Sequence, residues 1–203
     1  MTGLDGTVPI IEILGPNYKA LNDSTPIAVL LNERFPEKDG FKNLNGIEDL
    51  PQWEAETGEL GRNILRWIIN DVYENSLDPD DGSKEFFKTT RESFAKCDLK
   101  DVTDVLGGGE AAVIEKIKSY WLPLKERMQH EDGTGERKFL VSLPSFFVSW
   151  TNDRSPATYV DFQDASLVKW IEASSSDKTK LLMNLYGDDT FVKLMKKVEK
   201  YSF

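Results

Sequence analysis

Short β-branched runs open this chain, and apolar stripes at helical spacing fill most of its remaining length. Residues 7–13 read Thr-Val-Pro-Ile-Ile-Glu-Ile between Gly6 and the Gly15-Pro16-Asn17 turn signal, which predicts a short strand. Tyr18-Lys19-Ala20-Leu21 comes next as a second strand and completes a hairpin. Pro9 has no N–H to give to a ladder, so this is an edge strand or the proline has a special role. Asn22-Asp23-Ser24-Thr25-Pro26 then reads as a helix start, with several capping oxygens and a proline suited to the first turn. Ile27, Leu30, Leu31 and Phe35 lie on one face of that helix, and Pro36 stops it. Residues 37–51, with Gly40, Gly46, Pro51 and many Asn and Asp, read as a linker.

From about Trp53 the pattern is helical. Leu60, Ile64, Trp67, Ile68 and Val72 form one stripe, ended by Pro79-Asp80-Asp81-Gly82. Phe86, Phe87, Thr90 and Phe94 predict a shorter helix, and Gly107-Gly108-Gly109 breaks the chain again. Val113, Ile117, Trp121, Leu124 and Met128 make the next long stripe, with a kink expected at Pro123. Residues 130–137 are a polar loop, and 138–150 are apolar and aromatic without a clean period. Thr158-Tyr159-Val160-Asp161 precedes a helix carrying Phe162, Ala165, Leu167, Val168 and Ile171. Two short helices, Leu181–Tyr186 and Phe191–Val198, finish the chain. The expected organisation is residues 1–36, a linker 37–51, and a helical domain 52–203.

Charge narrows the function classes. With 25 Lys+Arg against 35 Asp+Glu, the net charge is −10. Phosphate backbones call for a basic surface, so neither a nucleic acid nor an anionic membrane is an expected partner. One Cys and one His cannot build a Cys/His zinc site, so no metal is expected. No apolar stretch reaches the length of a membrane span, and the first residues lack the pattern of a signal peptide, so the expected compartment is the cytoplasm. His130 lies in a polar run and reads as a solvated loop residue. Cys97, with Lys96 and Asp98 beside it and no His nearby, reads as a non-catalytic thiol.

The corner at Asp23-Ser24 has two readings. It is a plain helix cap, or the hydroxyl and first N–H groups form an anion site with Asp23 ready for an ammonium. Thr158 and Asp161 have the spacing of a capping box, a structural device that nucleates a helix. Trp67 and Trp121 are expected in the core, with Tyr73 a candidate for a cleft. Arg91 is expected to pair with an acidic neighbour.

Taken in order, Val8-Pro9, the stretch from Leu21-Asn22-Asp23-Ser24-Thr25 to Pro36, and Ala157-Thr158-Tyr159-Val160-Asp161-Phe162 resemble cytosolic glutathione transferases. Residues 86–94, Phe-Phe-Lys-Thr-Thr-Arg-Glu-Ser-Phe, resemble the etherase-like and other fungal members. The resemblance implies a mainly α protein. An incomplete thioredoxin-like ββα segment would be followed by the family's all-helical C-terminal domain. It implies glutathione as cosubstrate, bound by Val8, Pro9, Asp23 and Ser24, with a cis bond at Val8-Pro9. It further implies a hydrophobic electrophile as second substrate, Tyr73 as a candidate for that cleft, and a homodimer. The family's fold opens with a β-α-β unit that carries its catalytic Tyr, Ser or Cys, and seven residues before Val8 leave no room for it. No catalytic residue is therefore carried over. The alternative reading is a non-catalytic binding or dimerisation module of the same family.

Overall fold

The computed structural model describes residues 10–13, 19–34, 55, 58–130 and 157–199. It is mainly helical, and the chain divides into two compact units, Met1–Leu50 with Thr158–Val160, and Pro51–Ala157 with Asp161–Phe203. The linker 37–51, the aromatic stretch 138–150, and Val8 and Pro9 lie outside the described residues.

In the first unit, strands β1 (Ile10–Ile13) and β2 (Lys19–Asn22) pair antiparallel, with Ile10 opposite Asn22 and Ile13 opposite Lys19. Helix α1 (Ser24–Arg34) begins at once and packs on β2. Ile27 and Ala28 are buried, whereas Leu31, expected on the same stripe, stands 42 % exposed.

Eight further helices follow among the described residues, all in the second unit except for the first two residues of α7. These are α2 (Leu60–Asn75), α3 (Ser83–Ala95), α4 (Val102–Val105), α5 (Glu110–Tyr120), α6 (Leu122–His130), α7 (Tyr159–Ser174), α8 (Ser176–Met183) and α9 (Thr190–Glu199). A 3-10 turn, Leu99–Asp101, leads into α4. The predicted α2 stripe is buried in full. It shares one apolar core with Val113 and Ile117 of α5, Leu124 and Met128 of α6, and Val168 and Ile171 of α7. Trp121 packs edge-on against Phe191 of α9, with ring centres 5.0 Å apart.

Polar anchors fix the helices around this core. Trp67 Nε1 donates to Glu110 Oε1 at 2.9 Å, tying α2 to the first residue of α5. Lys178 of α8 donates to the Trp67 carbonyl oxygen and to Asp71 Oδ2, the latter at 2.6 Å. Buried polar groups need such partners, because an unmet donor costs about 1–3 kcal/mol.

Two boundaries differ from expectation. The kink expected at Pro123 is a break: α5 ends at Tyr120, Trp121 is the hinge, and α6 begins at Leu122. Pro123 cannot donate to the turn before it, which is where the helix divides. The helix expected over 181–186 runs instead from Ser176 to Met183, and Gly187, at φ 69°, lies in the turn beyond it.

Candidate functional site

Asp23 sits between β2 and α1 with φ 77°, a left-handed backbone that few residues other than glycine adopt, aspartate among them. Its carbonyl oxygen accepts from Ile27 N–H at 3.4 Å, so Asp23 caps α1. Its carboxylate turns back to accept the Ser24 N–H at 2.6 Å and, at 3.4 Å, the Ser24 hydroxyl. Both residues are exposed. The corner is a helix cap in which Asp23's own carboxylate holds the Ser24 N–H.

Thr158 and Asp161 are both buried, at the start of α7. Asp161 reaches two other helices. Its carboxylate lies 3.0 Å from Lys197 Nζ of α9 and 3.6 Å from Arg127 Nη2 of α6. One turn on, Asp164 accepts from Arg127 Nη2 at 2.7 Å and from Trp121 Nε1 at 2.9 Å. Each of these two carboxylates is 1 % exposed. Burial pushes the Asp164 carboxyl above its ordinary range, with the charge of Asp161 adding to it and Arg127 and Trp121 pulling it back. Sequence reading finds Asp161 and misses the other three charges. Two aspartates one turn apart on an apolar helix face are the available signal; Arg127 and Lys197 lie too far along the chain to be paired with them by spacing.

Tyr73 lines an open hollow of about 300 Å³ together with Asn70, Lys88, Glu92, Asp98, Leu99 and Lys100. Its walls are mostly charged or polar. Glu92 Oε1 is engaged by the Leu99 N–H at 3.1 Å, and Lys100 lies 3.8 Å from Asp98. Lys84 Nζ stands over the Tyr73 ring at 5.2 Å.

Cys97 borders a small apolar cluster of Ile69, Ala95, Leu99 and Val102. Burial, then the charges of Asp101, Asp98 and Glu92, push its thiol up, the reverse of what a nucleophile needs. Arg91 makes no ion pair among the described residues and lies instead over the Phe87 ring, 5.4 Å from its centre. The His130 side chain is outside the described residues. Among the described residues no group of three or more His, Cys, Asp or Glu is placed to hold a metal, and no helix is long and apolar enough to cross a membrane.

Compared with known proteins, the chain matches no protein-family model, no curated protein and no solved structure.

Proposed function

We propose that this chain is a glutathione-transferase-like protein that binds glutathione, with the γ-glutamyl end of the tripeptide at Asp23 and Ser24. One observation carries the reading: a left-handed, non-glycine corner at a helix N-terminus, with an exposed carboxylate beside an exposed hydroxyl. Backbone strain held at such a junction is a mark of binding sites. The Asp23 carboxylate takes the ligand's ammonium as a charge-assisted bond. The Ser24 hydroxyl, whose bond to Asp23 is long at 3.4 Å, turns to the ligand's carboxylate, helped by the dipole of α1. On this reading the N–H and C=O of Val8, presented by a cis bond to Pro9, would receive the cysteinyl part, as an added strand would. The order of hairpin, Asp-Ser helix start and helical bundle supports the same reading.

In a transferase the glutathione thiolate attacks a hydrophobic electrophile, and the protein lowers the thiol's pKa to make that possible. The charged and polar walls at Tyr73 do not suit an apolar substrate. This observation favours the second reading, a binding module with little or no turnover. A conjugation assay with a generic aromatic electrophile separates the two. Turnover of about 1–10³ s⁻¹ establishes a transferase; binding without turnover establishes the module.

A further inference from the structure

Two aspartates of α7, Arg127 of α6 and Lys197 of α9 meet inside the bundle. Their formal charges cancel, which is what lets such groups be buried together. The two carboxylates are held unequally. Asp161 has two cations, Lys197 Nζ at 3.0 Å and Arg127 Nη2 at 3.6 Å. Asp164 has one, Arg127 Nη2 at 2.7 Å, and its other oxygen accepts from Trp121 Nε1 at 2.9 Å. The cations differ as well. The Lys197 side chain is 8 % exposed, that of Arg127 34 %. Both contacts of Arg127 run through Nη2, and its buried Nε finds no hydrogen-bond partner among the described residues. A guanidinium held through one nitrogen lacks the fork that makes such pairs firm. The charged neighbours beyond these are engaged elsewhere. Lys193 of α9 pairs with Asp189 at 3.0 Å, and Lys125 of α6 with Asp188 at 3.4 Å. Glu126 and Asp188 bear on Tyr186 and not on Asp164. Tyr186 itself donates to the Lys118 carbonyl oxygen at 2.6 Å, and burial holds it above its ordinary value, so it stays neutral.

We propose that Arg127 and Asp164 form an acid-released latch between α6 and α7. When Asp164 takes up a proton from water, its Oδ2 becomes a donor and no longer accepts from the guanidinium. Arg127 then turns into solvent, which its side chain already reaches. Trp121 keeps its bond, since the carbonyl oxygen of a neutral carboxyl still accepts. Asp161 and Lys197 stay behind as a neutral pair, so no net charge is left in the core. The last turn of α6 loses its ion pair to α7. Burial pushes the Asp164 carboxyl up, against the pull of Arg127 and Trp121. An acid held above its unfolded value adds stability when protonated and loses that contribution as pH rises through the folded value. Release therefore loosens one helix end without unfolding the bundle. The latch stands independently of the glutathione reading.

Nuclear magnetic resonance of the full chain, followed at the aspartate carboxyl and arginine guanidinium groups from neutral to acid pH, tests this. The Asp164 carboxyl should titrate above 3.8, its ordinary value. The Arg127 Nε–H signal should change at the same midpoint and, below it, exchange with water about tenfold faster or more. The Trp121 indole N–H signal should persist throughout. Asp164→Asn fixes a neutral acceptor at that position, so it should show the released Arg127 already at neutral pH. Arg127→Met removes the cation that opposes proton uptake, so it should move the Asp164 midpoint up. An Asp164 carboxyl still ionised at 3.8 overturns the proposal. So does a guanidinium that does not respond at the Asp164 midpoint, an Asp164→Asn variant with Arg127 as protected as in the wild type, or a midpoint indifferent to Arg127→Met. Should Asp164→Asn not fold, the wild-type titration and Arg127→Met decide alone.

Discussion

Asp161→Ala separates a helix cap from a buried ion pair. A lost cap alone costs about 1 kcal/mol. The geometry here demands more. Asp161 is 1 % exposed and the Lys197 side chain 8 %, with 3.0 Å between their charged atoms. Truncating Asp161 takes away the carboxylate that Lys197 Nζ holds at 3.0 Å, and breaking a buried pair from one side costs about 3–5 kcal/mol. Arg127 is not stranded, because Asp164 still holds it at 2.7 Å. A loss of that size is a large part of the roughly 5–15 kcal/mol typical of a folded domain. Urea unfolding monitored by tryptophan fluorescence should show the midpoint falling by more than about 1 M at unchanged slope. Adding Lys197→Met should recover part of the loss, since the charge that Asp161 balances is then removed as well. A loss of about 1 kcal/mol or less, with no recovery from Lys197→Met, would show that Asp161 is only a cap.

Three other positions give outcomes of their own. At Gly107 a Cβ would collide with the Thr103 carbonyl oxygen and the Val113 side chain, so Gly107→Ala should cost about 1–3 kcal/mol. The midpoint in a thermal melt should fall by about 2–4 °C per kcal/mol; an unchanged melt refutes the close approach. The Cys97 thiol is held above its ordinary value of 9.0, so alkylation of the folded protein should be slow at neutral pH and rise only beyond that value. A midpoint below it contradicts the burial argument. For Asp188, burial acts to raise the carboxyl, but the Thr190 hydroxyl and N–H, with Lys125, outweigh it and leave the group lowered from 3.8. A lowered acid stabilises the fold above its unfolded pKa and loses that contribution as pH falls through the folded one. The stability gap between wild type and Asp188→Asn should therefore close as the solution is taken below about pH 3.8; a gap constant with pH refutes it.

Periodicity makes the bundle legible. Trp67, Ile68, Trp121, Val168 and Ile171, core residues by spacing alone, are all at most 2 % exposed. The turn chemistry before Ser24 locates the start of α1, and Thr158 marks the approach to α7. What spacing does not reach is what depends on distance in the chain. Lys197 and Arg127 meet Asp161 and Asp164 only because α6, α7 and α9 pack together. Phe86 and Phe94 fall within an apolar pattern, yet both face solvent, because the inward arc of α3 is set by Phe87 and Ala95. The α4 turn leaves no periodic signature because one helical turn is too short to show a period. At the candidate site, residue types and order point to Asp23 and Ser24, but only the fold reveals that the Asp23 carboxylate already holds the Ser24 N–H.

Titration calorimetry with reduced glutathione bears most directly on the central claim. The wild-type chain should bind at one saturable site. Asp23→Asn keeps a residue that tolerates the left-handed corner and removes the charge, so it should weaken binding about tenfold or more. Ser24→Ala should weaken it as well, while both variants keep the wild-type melting temperature to within a few degrees. Absence of glutathione binding by the wild type, or binding that neither substitution changes, would contradict the account.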